Sequence, residues 1–342
     1  MRAVGRCAAA DNPDCQEGSR PAPVDRQRGA EPANRLRGAL RARHDQAVGI
    51  REPERAELIS LNRTTLRVWG WGDPTAPPVV CLHGAYDHGR MFDGVAPRLA
   101  ALGYHVVAPD LRGHGDSGPL DTGFAWALLH LDIALLIRHL GAGPVGFVAH
   151  SFGGGQAGGV AGTFPEMVRW IVNIDGLGPP VAGLVLPEDI PAAVRQSFTR
   201  TDRALLEGRR PFASLDDMTE RRGRMNPRLP AAWVSHLVRH AARPVEGGFV
   251  WKADPMFGIG VPSEFNAAML EAEMRHVRCP VLALTGDQED MWRELATDEL
   301  AERVGWLGAR HHVVPGTGHY VHIEDADATM AHIEEFLAEV GP

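Results

Sequence analysis

The sequence predicts a doubly wound α/β domain, with a mostly parallel sheet and an inserted helical cap. Three observations lead there: short apolar runs, amphipathic stretches between them, and one long interval without such a run. "PVVCLHG", "YHVVAPD", "PVGFVAH", "VRWIVNID" and "CPVLALTG" are dominated by apolar residues, as strands covered on both faces are. Between them lie helical patterns such as "FAWALLHLDIALLIRHLG", with Gly141 as its C-terminal cap. Strands alternating with helices give a sheet with helices on both faces. The interval from Asp175 to Val281 is too long for one crossover helix and carries several helical patterns, including "LPAAWVSHLVRHAAR". An insertion between strands six and seven, over the carboxyl edge of the sheet, accounts for it better than a structureless loop.

The remaining elements follow in order. "ELISL" and "TLRVWGWG" alternate as half-buried strands do, and "DPTAPP" is a turn. Residues 1–54 are rich in Arg, Ala, Pro and Gly and poor in large apolar side chains, so they are expected to form a disordered tail. The α/β core is then expected over 55–177 and 278–342, and the cap over 178–277. A formal charge of −8 on 342 residues leaves no basic footprint for nucleic acid and no polybasic membrane anchor. Cys7, Cys15, Cys81 and Cys279 form no C-x-x-C pair and read as free thiols of a reducing compartment. Arg6 interrupts any signal-like apolar start, and no later run reaches the length of a membrane span. A cytoplasmic protein is expected.

"FVAHSFGGGQAGG", Phe147 to Gly159, supports two incompatible sites. Around Ser151 it nearly spells the G-x-S-x-G nucleophile elbow, with Ala149 in place of the first glycine. Through Gly153, Gly155 and Gly158 it spells a dinucleotide fingerprint, with Asp175 22 residues on, where a ribose-binding acid is expected. The elbow is the better reading. A dinucleotide fingerprint usually follows the first strand of a βαβ unit, and here several strands precede it. An elbow also needs small residues two positions either side of the serine, which Ala149 and Gly153 supply. Other signals agree with it: "LHG" at a strand end, "DLRGHGDSG" after the next strand, and "VPGTGHYVH" with His319 after the last strand, "RHHVVP". The chain order is serine, acid, histidine.

On "LHG", "RGHGDSG", "HSFGG", "FPEMV" and "VPGTGHYVHIE" the sequence resembles the α/β-hydrolase superfamily, from about Ala56 to Val340, within its capped serine-hydrolase-like branch. The resemblance implies Ser151 as nucleophile and His319 as base, with the backbone N–H groups of Ala85 and Phe152 as oxyanion hole. Related capped folds that open epoxides or displace halide use Asp as nucleophile, so Ser151 disfavours those chemistries. The acid commonly stands three residues after a glycine that ends the seventh strand, which puts Glu289 of "TGDQED" in the slot. Asp290, one place later, and Asp175, ending the preceding strand, are the alternatives. The expected activity is a cofactor-independent hydrolysis of an ester-type bond in a small-molecule acyl substrate, through an acyl-enzyme. A C–C bond hydrolase, a perhydrolase, or a slowly turning-over receptor shares the same motifs. His311, His312, His319 and His322 lack a framework of ligand spacing, so no metal is expected. Asp110, Arg112, His114 and Asp116 are expected to fix their own loop, and Trp233, Phe249, Trp251 and Phe257 either line a pocket or fill the cap.

Overall fold

The computed structural model describes residues 49–341 except 62, 121–124, 179–188, 207–208, 259–265 and 291–294. Most of the expected tail lies outside the described residues. Its last part does not behave as a tail. Ile50 is buried in the main core, Arg51 N–H donates to the Asp93 carbonyl, and Glu54 N–H donates to that of Gly70. The ordered chain therefore extends N-terminal of the expected boundary at Glu54.

Eight strands form one sheet in the order β1-β2-β4-β3-β5-β6-β9-β10. They are β1 (Arg55–Leu61), β2 (Thr64–Trp71), β3 (Pro78–Leu82), β4 (His105–Pro109), β5 (Val145–His150), β6 (Val168–Ile174), β9 (Val281–Gly286) and β10 (Arg310–Val314). β1–β2 and β2–β4 pair antiparallel and all other neighbours pair parallel. The apolar runs β3, β4, β5 and β9 are buried at every residue, because two core clusters cover the two faces. That burial explains why these strands read as continuous rather than alternating.

The helices are α1 (Ala96–Ala101), α2 (Trp126–Leu140), α3 (Phe152–Thr163), α4 (Ile190–Leu206), α5 (Leu215–Met225), α6 (Ala231–Ala241), α7 (Ala267–Arg275), α8 (Thr297–Leu307), α9 (Val321–Glu324) and α10 (Ala326–Val340). Gly141 ends α2 in the left-handed conformation, as its sequence position predicts.

The interval between β6 and β9 is not purely helical. It contains α4 to α7 and an antiparallel hairpin, β7 (Ala242–Val245) with β8 (Gly248–Trp251). Pro244 is one of the hairpin residues, and "AARPVEGGFVW" is the strand–turn–strand that the helical reading of "LPAAWVSHLVRHAAR" overran. Met218 of α5, Val238 of α6 and Ala242 make a small core of their own, against which Phe249 and Trp251 pack. α7, placed in the cap by the sequence boundary at 277, lies instead against α3: a Cβ on Gly162 would stand 2.2 Å from the Glu273 carbonyl oxygen. It covers the sheet rather than the hairpin.

Candidate active site

β3, β5 and β6 are neighbours in the sheet, and their carboxyl ends build the site. β5 runs out at His150, and Ser151 follows with φ 52° and ψ −122°, a strained turn before α3 begins at Phe152. The close packing of that turn explains its small residues. A Cβ on Gly153 would stand 2.2 Å from the Leu82 carbonyl oxygen, and one on Gly84 would stand 3.2 Å from the Ser151 Cβ. The loop carrying Ala85 is thus pressed against the serine. Ala85 sits half-buried in a turn directly after Gly84, and Phe152 heads α3 directly after Ser151.

The glycines of the alternative fingerprint serve packing. Gly153 abuts Leu82, Gly155 would bring a Cβ to 3.0 Å from the Trp126 ring, and Gly158 faces Met274 of α7. Asp175, the acid that reading required, is engaged elsewhere.

His319 lies on the loop between β10 and α9, and its Nδ1 is 2.7 Å from Asp175 Oδ2. The pair is largely buried, with 9% of the histidine side chain and 13% of the carboxylate exposed. A carboxylate only accepts, so Nδ1 carries the proton and Nε2 is left as the basic nitrogen. The expectation that Glu289 meets His319 is not met. Glu289 is exposed, whereas Asp290 accepts the backbone N–H of His319 at 2.7 Å through Oδ2. Asp287 accepts the N–H of Gly316 at 2.7 Å, so the loop after β9 props the main chain of the histidine loop. Asp287 and Asp290 hold backbone; the carboxylate at the ring stands at the end of β6.

The strand register explains this. His150 pairs with Ile174, so Ser151 and Asp175 are the next residues on adjacent strands. Ser151 N–H donates to the Ile174 carbonyl at 3.0 Å, and Asp175 has φ 46°, a second left-handed turn beside the first. His150 ties the third element in: its Nε2 donates to the His319 carbonyl at 2.9 Å. Burial, reinforced by the charges of His319 and His322 when protonated, holds the pKa of His150 well below the usual histidine value.

Sequence reasoning missed several residues around this cluster. His83 accepts the N–H of Leu111 through Nε2 (2.8 Å), so its Nδ1–H donates to the Gly84 carbonyl (2.8 Å) and fixes the loop before Ala85. Asp87, two residues after Ala85, accepts from Arg222 of α5 (2.6 Å) and from the Tyr320 hydroxyl (2.9 Å), and Arg222 donates to that hydroxyl at 2.8 Å. Burial opposes the charge on Arg222, but Asp87 and Tyr320 outweigh it and raise its pKa. Arg222 was hidden in a run of surface-like charges, "TERRGRM". Nothing there marks it from its neighbours.

The loop residues Asp110 to Asp116 hold their own turn, as expected. Asp110 accepts from Trp69 Nε1, Gly89 N–H and Asp116 N–H, and Arg112 makes a bidentate pair with Asp132 at 2.7 Å. Of the aromatics expected in the cap, Trp233 joins the main core, and Phe249 and Trp251 pack against the small cluster of Met218, Val238 and Ala242. Phe257 alone among them meets the site, with its ring 5.3 Å from that of Tyr86 and 5.0 Å from that of Phe152. His312 stacks on His332 and His311 is bonded to Thr285, away from His319. Among the described residues, no three His, Cys, Asp or Glu side chains are placed to hold a metal ion, and no helix is long and apolar enough to cross a membrane.

Residues 79–332 match the model of the alpha/beta hydrolase family. The chain is 27% identical over 297 residues to a probable serine hydrolase of Drosophila melanogaster, which covers 82% of this chain and 87% of that protein. It is 26% identical over 294 residues to an esterase of Mycobacterium tuberculosis, covering 85% and 92% respectively. The crystal structure of a hypothetical protein from Pseudomonas aeruginosa PAO1 superposes with a TM-score of 0.71 at 28% identity, over 83% of this chain and 98% of that one.

Proposed function

Since the chain belongs to the alpha/beta hydrolase family, we propose that it is a serine hydrolase that cleaves an ester-type bond through an acyl-enzyme, with Ser151, His319 and Asp175 as its triad. One observation carries the reading: the 2.7 Å contact between His319 Nδ1 and Asp175, next to a serine held in an elbow turn. The hydrolase names of the fly and mycobacterial relatives support it.

Ser151 Oγ attacks the ester carbonyl while His319 Nε2 takes its proton, and Asp175 stabilises the imidazolium that forms. The N–H groups of Ala85 and Phe152 receive the developing oxyanion. The imidazolium then protonates the leaving alcohol, which departs. Water, deprotonated by His319, attacks the acyl-serine and releases the acid. Ester and water give acid and alcohol, so the reaction balances without a cofactor.

The rings of Tyr86 and Phe152 adjoin the two donors, and Phe257 bridges them, so the bound carbonyl has an aromatic wall beside it. Arg222 is neutralised by Asp87. That combination favours uncharged, apolar acyl groups over anionic ones. The test is a fluorophosphonate probe followed by peptide mass analysis, with p-nitrophenyl hexanoate and a hemisuccinate ester assayed in parallel. The expected result is one adduct, on Ser151, and faster turnover of the hexanoate. No adduct at Ser151, with no ester turned over, refutes the hydrolase reading; a preference for the hemisuccinate refutes only the acyl preference.

A further inference from the structure

We propose that Asn173 is a positioning residue for this chemistry: its carboxamide clamps the turn that aims Asp175 at His319. The inference rests on the triad reading, and its test separates the two.

Asn173 is the penultimate residue of β6 and 2% exposed. Its side chain makes two hydrogen bonds to one residue three places on: Oδ1 accepts the Gly176 N–H at 2.9 Å, and Nδ2 donates to the Gly176 carbonyl at 3.1 Å. A carboxamide has one donor end and one acceptor end, and here both close on the same residue, gripping the peptide groups on either side of the Gly176 Cα and bridging the chain across Ile174 and Asp175. Between these anchors Asp175 is held at φ 46°, a left-handed conformation that few residues besides glycine adopt, Asp and Asn more readily than the rest when local hydrogen bonds hold the turn. From the other side, the Asp175 N–H is fixed on the Leu284 carbonyl at 2.8 Å. Further along, buried Arg303 donates to the Leu177 carbonyl at 2.8 Å.

The clamp also touches the serine turn. A Cβ at Gly176 would stand 2.5 Å from the Ser151 carbonyl oxygen and 2.8 Å from the Gly154 Cα. A Cβ at Gly154 would stand 2.8 Å from Asn173 Nδ2. The two left-handed turns are therefore packed backbone to backbone, with the Asn173 amide filling the space beside them. A hydrophobic residue at 173 would keep β6 in place and release the turn. Displacing Asp175 lowers the proton affinity of His319 and disorders its ring, and misplacement by about 1 Å is enough to cost roughly 10²-fold in rate.

The experiment is a double-variant cycle on the full chain, read as the rate of acylation by the fluorophosphonate probe and as the pH profile of ester kcat/KM. Asn173→Ala is expected to slow acylation about 10²-fold, leave KM within twofold, and move the acid limb of the profile to lower pH. Asn173→Ser, whose hydroxyl can accept the Gly176 N–H in a Ser-type turn, is expected to restore part of the rate. If the alanine variant does not fold, the serine variant is read alone, with a smaller loss in the same direction. In an Asp175→Asn background, Asn173→Ala or Asn173→Ser is expected to add less than twofold, since the residue acts through Asp175. A full additional loss in that background, or an unmoved acid limb, overturns the proposal and leaves Asn173 as a structural residue. Wild-type rates in Asp175→Asn alone overturn the triad reading itself.

Discussion

Asp175→Asn is expected to lower kcat by about 10⁴-fold, whereas Glu289→Gln leaves it within about twofold of the parent. The amide is the same size as the carboxylate, so the fold is retained while the chemistry at His319 changes. An amide at Oδ2 presents either an oxygen that still accepts from Nδ1–H or a nitrogen that donates to an unprotonated Nδ1. The second choice places the histidine proton on Nε2, where the base is needed. Neither choice supplies the negative charge that stabilises the imidazolium. Glu289 is exposed, and it is Asp290 beside it that meets the His319 main chain. Asp290→Asn falls between the two, because its loss moves the His319 main chain rather than the ring. Steady-state ester kinetics on the three variants check the ordering, and a collapse of Glu289→Gln with an active Asp175→Asn would reverse the assignment.

A second large effect is expected from acid. Burial is the dominant cause that holds the pKa of His83 and His130 at about 4 and of His88, His114 and His322 at about 3. In the unfolded chain these groups titrate near ~6.5. The unfolded state therefore binds protons that the native state refuses throughout the interval from about 6.5 down to 3–4. The stability these five contribute is fully present above that upper value and is lost as the pH falls below it, at about 1.4 kcal/mol per histidine per unit. Asp110 works the other way: burial raises its pKa to about 6, so the native state holds its proton more tightly below that pH. Burial raises the pKa of Glu273 as well, but two opposing carboxyls do not balance five imidazoles. The net expectation is a loss of several kcal/mol by pH 5.5, comparable with the whole stability of an ordinary domain. Urea midpoints measured from pH 7.5 to 5 check this, and a flat profile would show that the histidines gain protons without unfolding.

The sheet was legible because its signal is local. "CPVLALTG" and "PVGFVAH" are dominated by apolar residues for as long as the strands they became, and Gly141 marks the end of α2 to the residue. Ser151 and His319 could be placed because the residues around them must be small or turn-forming wherever the fold occurs. The acid was not legible in the same way. Asp175 and His319 stand 144 residues apart and meet because β6 lies between β5 and β9 in space. "TGDQED" offered three carboxylates after β9, and nothing in their spacing says which are committed to backbone. The flanks of Asp175 did carry a sign: "NIDG" combines an Asx-type side chain with a glycine, as a tight turn requires. Ile50 and the β7–β8 hairpin were missed for a different reason, since a lone apolar residue and two four-residue strands fall below the length at which periodicity can be read.

Six of the twelve residues of α3 are glycine, and nine of the twelve are buried. Each glycine disfavours a helix by about 1 kcal/mol relative to alanine, so this segment on its own has little tendency to coil. Its helicity is lent by neighbours: Leu82 of β3 beneath Gly153, Trp126 of α2 against Gly155, and Glu273 of α7 against Gly162. The helix that begins at the nucleophile is consequently among the last to acquire order during folding. Its amides should exchange with deuterium together, through undocking of the helix as a unit while the sheet persists, never by fraying from an already helical stub. Exchange of α3 amides no faster than those of β5 and β6 would contradict this. A chain with its sheet assembled but α7 undocked then has no serine turn at all, and enzymatic activity reports the final docking event rather than the collapse of the core.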